Sequence, residues 1–219
     1  MVFGHSISNA SDTIKRFVGF GDDDGDDAND VALPTVADRT GFEGNLDGSE
    51  VIGRSPMSYV AASESITEFM GKQTKHKLAN YGIEELEPDE WYPLKAPLAM
   101  LFDMRDDYGE SSMQNMGRHI PEHVEFPPGI EGAEEALQSV DQAYQHNHRG
   151  MDIGSYEFRK TGDCEGEMVC ENPYPCEFDQ GLLRGVAENF TDSFVNVEEV
   201  GDQCRAEGGR HCTFRIEWT

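Results

Sequence analysis

The chain of 219 residues carries 43 Asp and Glu against 17 Lys and Arg, a formal charge of -26, which excludes sequence-independent nucleic-acid binding because that needs a basic stripe. No apolar run approaches the roughly 20 residues that cross a bilayer, and His5, Ser6, Ser8 and Asn9 interrupt any export-signal core at the start. Five cysteines, an odd number in a chain with no export signal, point to reduced thiols or a metal and to a cytoplasmic location.

The acidic residues are dense between Asp22 and Asp30 but otherwise spread along the chain. That distribution is the solvation pattern of a protein from a high-salt cytoplasm, where a short Debye length removes most of the self-repulsion. Ser11 to Phe20 has the spacing of a short amphipathic helix, with Ser11 at its cap. From Gly21 to about Arg54 the text is rich in Asp, Gly and Asn, and too poor in apolar side chains to offset the entropy of ordering. Residues 1–55 are therefore expected to be an acidic flexible arm or linker, and residues 56–219 the folded domain.

Tyr59 to Ala79 reads as one or two helices with Tyr59, Ile66, Phe69 and Met70 in the core, ending at Gly82-Ile83. A helix start is expected at Glu87 to Trp91, capped by Asp89, and Leu98, Leu101, Phe102 and Tyr108 recur at helical spacing. Glu110 to Ile120 predicts a helix with Met113, Met116 and Ile120 inward. Glu131 to His148 predicts a longer one with the stripe Ala133, Leu137, Val140 and Tyr144. The period then changes. Ile153 to Arg159 and Gly166 to Cys170 read as strands around Thr161-Gly162-Asp163, and Glu177 to Phe190 as a helix. Ser193 to Val200 and His211 to Trp218 are two closing strands. The order predicts an α+β fold: a helical half, then strand-strand-helix-strand-strand forming an antiparallel sheet with helices on one face.

Cysteines concentrate in the last third: Cys164, Cys170, Cys176, Cys204 and Cys212. Such clustering suggests a local site, since a disulfide framework would be spread over the whole fold. Pro-Tyr-Pro-Cys176, the helix motif Gly181-Leu182-Leu183-x-Gly185, the pair Cys204 and Cys212 with Gly208 between, and the ending Phe214-Arg215-Ile216 together resemble the 4-vinyl reductase domain family. The resemblance covers the C-terminal third, and the acidic composition makes it a haloarchaeal-type resemblance. It implies a small-molecule-binding fold shared with haem-type nitric-oxide sensors and with vesicle-tethering subunits.

Some members of that family hold a structural zinc ion, which implies metal ligands at Cys176, Cys204 and Cys212 here. The family's glutamate ligand falls on Gly201, which has no side chain to offer. Four ligands are needed, and Cys170 is the first candidate for the fourth, with Cys164, Asp202 and His211 as others. The alternative is that these thiols are reduced and pack as small apolar groups.

The resemblance also raises haem. The sensors' Tyr-x-Ser-x-Arg signature meets only Tyr156-Glu157-Phe158-Arg159 here, so haem is not expected. His146 and His148 read as cations facing a helix C-terminus. Trp91, Tyr92, Phe102, Met104, Met113, Met116 and Tyr144 are candidates to line a pocket, or ordinary core residues. No phosphate-binding loop, nucleophile elbow or metalloprotease helix is present.

The expected function is a non-enzymatic sensor or ligand-binding domain for a small hydrophobic or aromatic molecule, as a homodimer, passing a signal to an unknown output protein. A scaffold subunit without ligand is the alternative. A haem-based gas sensor and an accessory protein of tetrapyrrole metabolism are further ones.

Overall fold

The computed structural model describes residues 39–219, so the helix expected at Ser11 to Phe20 and the Asp-rich run lie outside it. Residues 39–55, on the arm side of the expected boundary, take part in the fold. Phe42, Leu46, Val51 and Ile52 are buried. Strand β1 (Glu50–Ile52) is the centre of a small antiparallel sheet between β2 (Trp91–Pro93) and β3 (His148–Arg149). The polar average of the segment hid this strand, because its backbone groups are satisfied by partners distant in sequence.

Helices α1 (Arg54–Ile66) and α2 (Glu68–Asn80) meet at Thr67, whose hydroxyl caps α2 by accepting from the Met70 N–H at 3.1 Å. Tyr59 and Met70 are buried as expected, but Phe69 is 57% exposed. The inward stripe of α2 is Met70, Thr74 and Leu78, and Phe69 falls one position off it. No helix starts at Asp89. Pro93 holds the residue before it extended, so Trp91 to Pro93 forms β2, and Asp89 instead pairs with Arg54 at 2.6 Å.

Helix α3 (Lys95–Tyr108) buries Leu98, Leu101 and Phe102 and turns at Gly109 into α4 (Glu110–His119). A short 3-10 turn, Ile120–His123, follows. The single helix expected from Glu131 to His148 is broken into α5 (Ala133–Gln138) and α6 (Val140–Asn147). At the break the Ser139 hydroxyl bonds the Ala136 carbonyl at 2.7 Å, the side-chain competition with the backbone that disfavours serine inside helices. The stripe of Ala133, Leu137, Val140 and Tyr144 is buried all the same.

The second half is β4 (Ser155–Gly162), β5 (Glu165–Glu171), α7 (Cys176–Glu188), β6 (Val195–Val200) and β7 (Cys212–Trp218). The strands form an antiparallel sheet in the order β4-β5-β7-β6. Its period of two is clear: Met168 and Cys170 from β5, and Cys212, Phe214, Ile216 and Trp218 from β7, are buried while their neighbours are not. Helix α7 packs on β6 and β7, with Gln180 donating to the Val197 carbonyl at 3.0 Å, and presses α4 from its other side. The architecture is α+β, as the change of period indicated.

Candidate functional site

Helices α1, α6 and α7, strand β4 and the 3-10 turn line a partly open cavity of about 150 Å3. Its wall is aromatic and aliphatic: Tyr59, Ile120, Val140, Tyr144, Tyr156, Tyr174, Phe178, Leu182 and Val186, with His148 among them. Tyr174 stacks on Phe178 with ring centroids 5.5 Å apart, and Tyr59 meets both edge-on. The segment Val124 to Pro127 also lines the cavity and borders an outer groove that includes His123 and His146.

The polar atoms in this wall form one directed chain. The Nδ1 of His148 lies 2.8 Å from the Tyr144 carbonyl, which can only accept, so Nδ1 carries the proton. Nε2 is then a bare acceptor for the Tyr174 hydroxyl at 2.7 Å, and the Tyr174 oxygen accepts from Tyr59 at 2.8 Å. The Tyr144 hydroxyl donates to the Ile153 carbonyl. His148 is thus a buried neutral ring rather than the helix-end cation suggested by its place after Asn147. Burial drives its pKa down to about 4, against the opposing pull of the Tyr144 carbonyl.

A histidine held neutral makes stability depend on pH. Between pH 6.5 and about 4 the unfolded chain binds a proton that the folded one refuses, so stability falls as pH falls through this window. The slope from this group approaches about 1.4 kcal/mol per pH unit. In urea titrations from pH 7.5 to 4.5, His148→Gln should flatten that dependence. An unchanged slope would remove the assignment.

Behind the cavity lies a buried ion pair. Arg205, on a 3-10 turn (Arg205–Glu207), and Asp179, on α7, have fully inaccessible side chains and are directly bonded. Asp179 also accepts from Tyr156 at 2.6 Å and from Asn172 at 3.1 Å. Arg205 also reaches the backbone and side-chain oxygens of Asn172. Asn172 in turn accepts the Tyr174 N–H at 2.9 Å. Burial pushes the Asp179 carboxyl above its usual range while Arg205 and the hydroxyl of Tyr156 pull it back. Asp179 was legible in principle: it lies four and seven residues before Leu183 and Val186, on the apolar stripe of α7.

The same arginine joins the cavity wall to the cysteines, because its backbone N–H points at Cys212 Sγ at 3.4 Å. Three thiols converge there. Cys176 starts α7, Cys204 precedes the 3-10 turn and Cys212 starts β7. Their sulfurs are 3.2 Å (Cys176 to Cys212), 3.8 Å (Cys176 to Cys204) and 3.8 Å (Cys204 to Cys212) apart. A tetrahedron with Zn–S bonds of about 2.3 Å places its sulfurs about 3.8 Å apart. All three are free thiols, so the donor set fits zinc. The hydrogen bond between Cys212 and Cys176 and then burial hold the Cys212 thiol far above its usual range. Cys204 is pushed up to about 11, first by burial and then by a hydrogen bond with Glu199. Cys170 pairs with Cys212 across β5 and β7 and is wholly buried, but its sulfur is outside the group whose donor atoms lie within 4.8 Å of one another. Cys164 is exposed in the β4–β5 turn.

Of the residues expected to line a pocket, Tyr144 is in the wall of this cavity and the others are not. Trp91 lies under Arg149 at 4.3 Å, Tyr92 bonds the Glu87 N–H at 2.8 Å, and Phe102 is flanked by Arg39 and Arg105. Met104, Met113 and Met116 are ordinary core residues. Tyr59, buried as its spacing predicts, also lines the cavity, and so does the buried Phe178.

The sequence pattern of the 4-vinyl reductase domain family matches residues 164–218, the segment that holds β5, α7, β6, β7 and the cysteine centre. No curated protein matches the chain. Among solved structures, an H-NOX mutant from T. tengcongensis is similar over 76% of this chain and 97% of its own, with a TM-score of 0.57 and 16% identity. A mutant of the Fe(II) unliganded H-NOX protein from K. algicida is similar over 77% and 96%, with a TM-score of 0.56 and 14% identity. An oxygen-binding H-NOX domain related to soluble guanylate cyclases, solved as its oxygen complex, covers 74% and 92% at a TM-score of 0.54 and 16% identity. At these identities the likeness concerns the fold.

Proposed function

We propose that this domain is a sensor module whose cavity takes one small, largely apolar molecule, while Cys176, Cys204 and Cys212 hold a structural zinc ion. The observation that carries the reading is the aromatic cavity of about 150 Å3. An apolar cavity of roughly that size accommodates a single benzene ring. Its polar wall atoms, on Tyr59, Tyr174 and His148, are already bonded to one another, so they can orient a guest without being stranded when it leaves.

Haem does not fit this cavity. Both ring nitrogens of His148 are engaged, leaving none for an axial bond. The lining holds no Lys or Arg to meet propionates; its one charged residue is Glu125. A macrocycle also exceeds a space of about 150 Å3 several-fold.

Thermal unfolding of the zinc-loaded protein with benzene, toluene, phenol or hemin separates the readings. A guest that binds only the folded state raises the melting temperature by mass action, by about 2.7 kcal/mol of stability at a hundred times its Kd. Single-ring compounds should do so and hemin should not. No shift from any of them favours a scaffold without ligand, and a Soret band lost in His148→Ala would restore haem. For the metal, protein purified without chelator should contain about one zinc ion per chain, given one centre, and should melt lower after EDTA. Zinc near zero with five titratable thiols would sink the claim.

A further inference from the structure

The inner wall of the cavity selects by shape, because its tyrosine and imidazole groups are bonded to one another. The rim adds charge. The segment Val124 to Pro127 lines both the cavity and the outer groove, as do Ser55 and Ala143, so the two voids meet at these residues. The ionic groups around that junction can be accounted for one at a time. Arg54 and Asp89, in the groove, pair with each other at 2.6 Å. His123 has its Nε2 on the Ser65 hydroxyl at 2.9 Å, and His146 lines the groove but not the cavity. Glu125 lines both voids and is exposed, and its carboxylate has no ion pair or hydrogen bond among the described residues. An exposed residue that also lines an interior void stands where that void meets solvent. A guest whose ring fills the cavity therefore meets an unbalanced negative charge at the rim, and no Lys or Arg lines the cavity to offset it. That charge favours a cation and opposes an anion, and the surplus of 43 acidic over 17 basic residues acts in the same direction. An ammonium group is too costly to bury in an apolar interior without a partner, so it must stay at the rim, joined to the ring by a short chain.

We propose that the guest is an arylalkylamine, with its ring among Tyr59, Tyr144, Tyr174 and Phe178 and its ammonium group at the rim beside Glu125. The inference rests on the sensor reading above and adds the charge of the ligand to it. The ring supplies most of the affinity by burying apolar surface. Glu125 supplies the discrimination, attracting an ammonium group and repelling a carboxylate on the same chain. Its exposure keeps the preference modest, because a solvated ion pair contributes up to about 5-fold in affinity.

Calorimetric titration of the full chain at pH 7.5 compares three guests that share a phenylethyl group: 2-phenylethylamine, 2-phenylethanol and 3-phenylpropionate. Toluene is the reference for the cavity alone. The wild type should bind the amine most tightly and the carboxylate least. Glu125→Gln keeps the shape of the side chain but removes its charge, and should lower the ratio of amine to alcohol affinity by about 3- to 5-fold. Glu125→Lys should place the carboxylate above the amine. Neither change should alter the affinity for toluene. Equal melting temperatures of the unliganded wild type and variants would show that the fold itself is unchanged. A wild type that binds the amine no more tightly than the carboxylate overturns the assignment while leaving the sensor reading intact. So does a ratio unchanged in Glu125→Gln, or loss of toluene binding in either variant. A wild type that binds toluene and none of the phenylethyl guests has the same consequence. A wild type that takes up none of the four overturns both.

Discussion

Asp179→Ala should lower the unfolding free energy by about 3–5 kcal/mol, the range for removing one member of a buried ion pair. The cost comes from what is left behind. Arg205 would keep a buried guanidinium with no counter-charge, and its Nε already lacks a partner. The Tyr156 hydroxyl would lose its acceptor, and Asn172 one of its own. Because Tyr156 and Tyr174 hang from this network, the cavity wall should loosen together with the turn that carries Arg205. The pair as a whole is worth far less than either half, since desolvating two charges offsets most of their attraction. Asp179→Leu combined with Arg205→Met should therefore recover much of the loss. Urea unfolding at pH 7.5, with zinc held at one concentration because bound metal adds to apparent stability, measures each variant. Additive losses in the double variant would show that the two residues act separately.

What the sequence disclosed, and what it hid, follows the range of the interactions. Alternation in β5 and β7 and the stripe from Ala133 to Tyr144 are properties of neighbours along the chain, and both were legible. The grouping of Cys176, Cys204 and Cys212 was legible through the resemblance of their motifs to the 4-vinyl reductase domain family, and the structure brings those three sulfurs together. The cavity was not. Tyr59 and Tyr174 are bonded across 115 positions, and no local pattern separates a core tyrosine from one that faces a void. His148 was misread for the same reason: a histidine after a helix usually meets solvent, and this one is buried by β1 and Tyr174, partners distant in sequence, together with Tyr144. β1 itself is three residues long, too short to show a period.

Gly181→Ala and Gly185→Ala together should cost about 4 kcal/mol, although helix propensity alone predicts a gain of about 1 kcal/mol for each. The sign is decided by α4. A Cβ on Gly181 would stand 2.0 Å from the Gln114 carbonyl oxygen, and one on Gly185 would stand 2.1 Å from that of Arg118. Both collisions are with backbone, which cannot rotate aside, so the two helices must separate. Overpacking costs about 1–3 kcal/mol per site, and backbone collisions belong at the upper end, leaving a net loss of about 2 kcal/mol for each residue. The separation would also draw α7 away from the cavity, which Phe178, Leu182 and Val186 line from that helix. Gly71→Ala on α2 is the control. A Cβ there first meets Glu64 Cγ, part of an exposed side chain that can swing away, so this change should stay within about 1 kcal/mol of neutral. Urea unfolding of the three single variants and the double variant checks the order. If Gly181→Ala stabilises the protein as Gly71→Ala can, then α4 and α7 do not meet as closely as the three-glycine contact through Gly117, Gly181 and Gly185 requires.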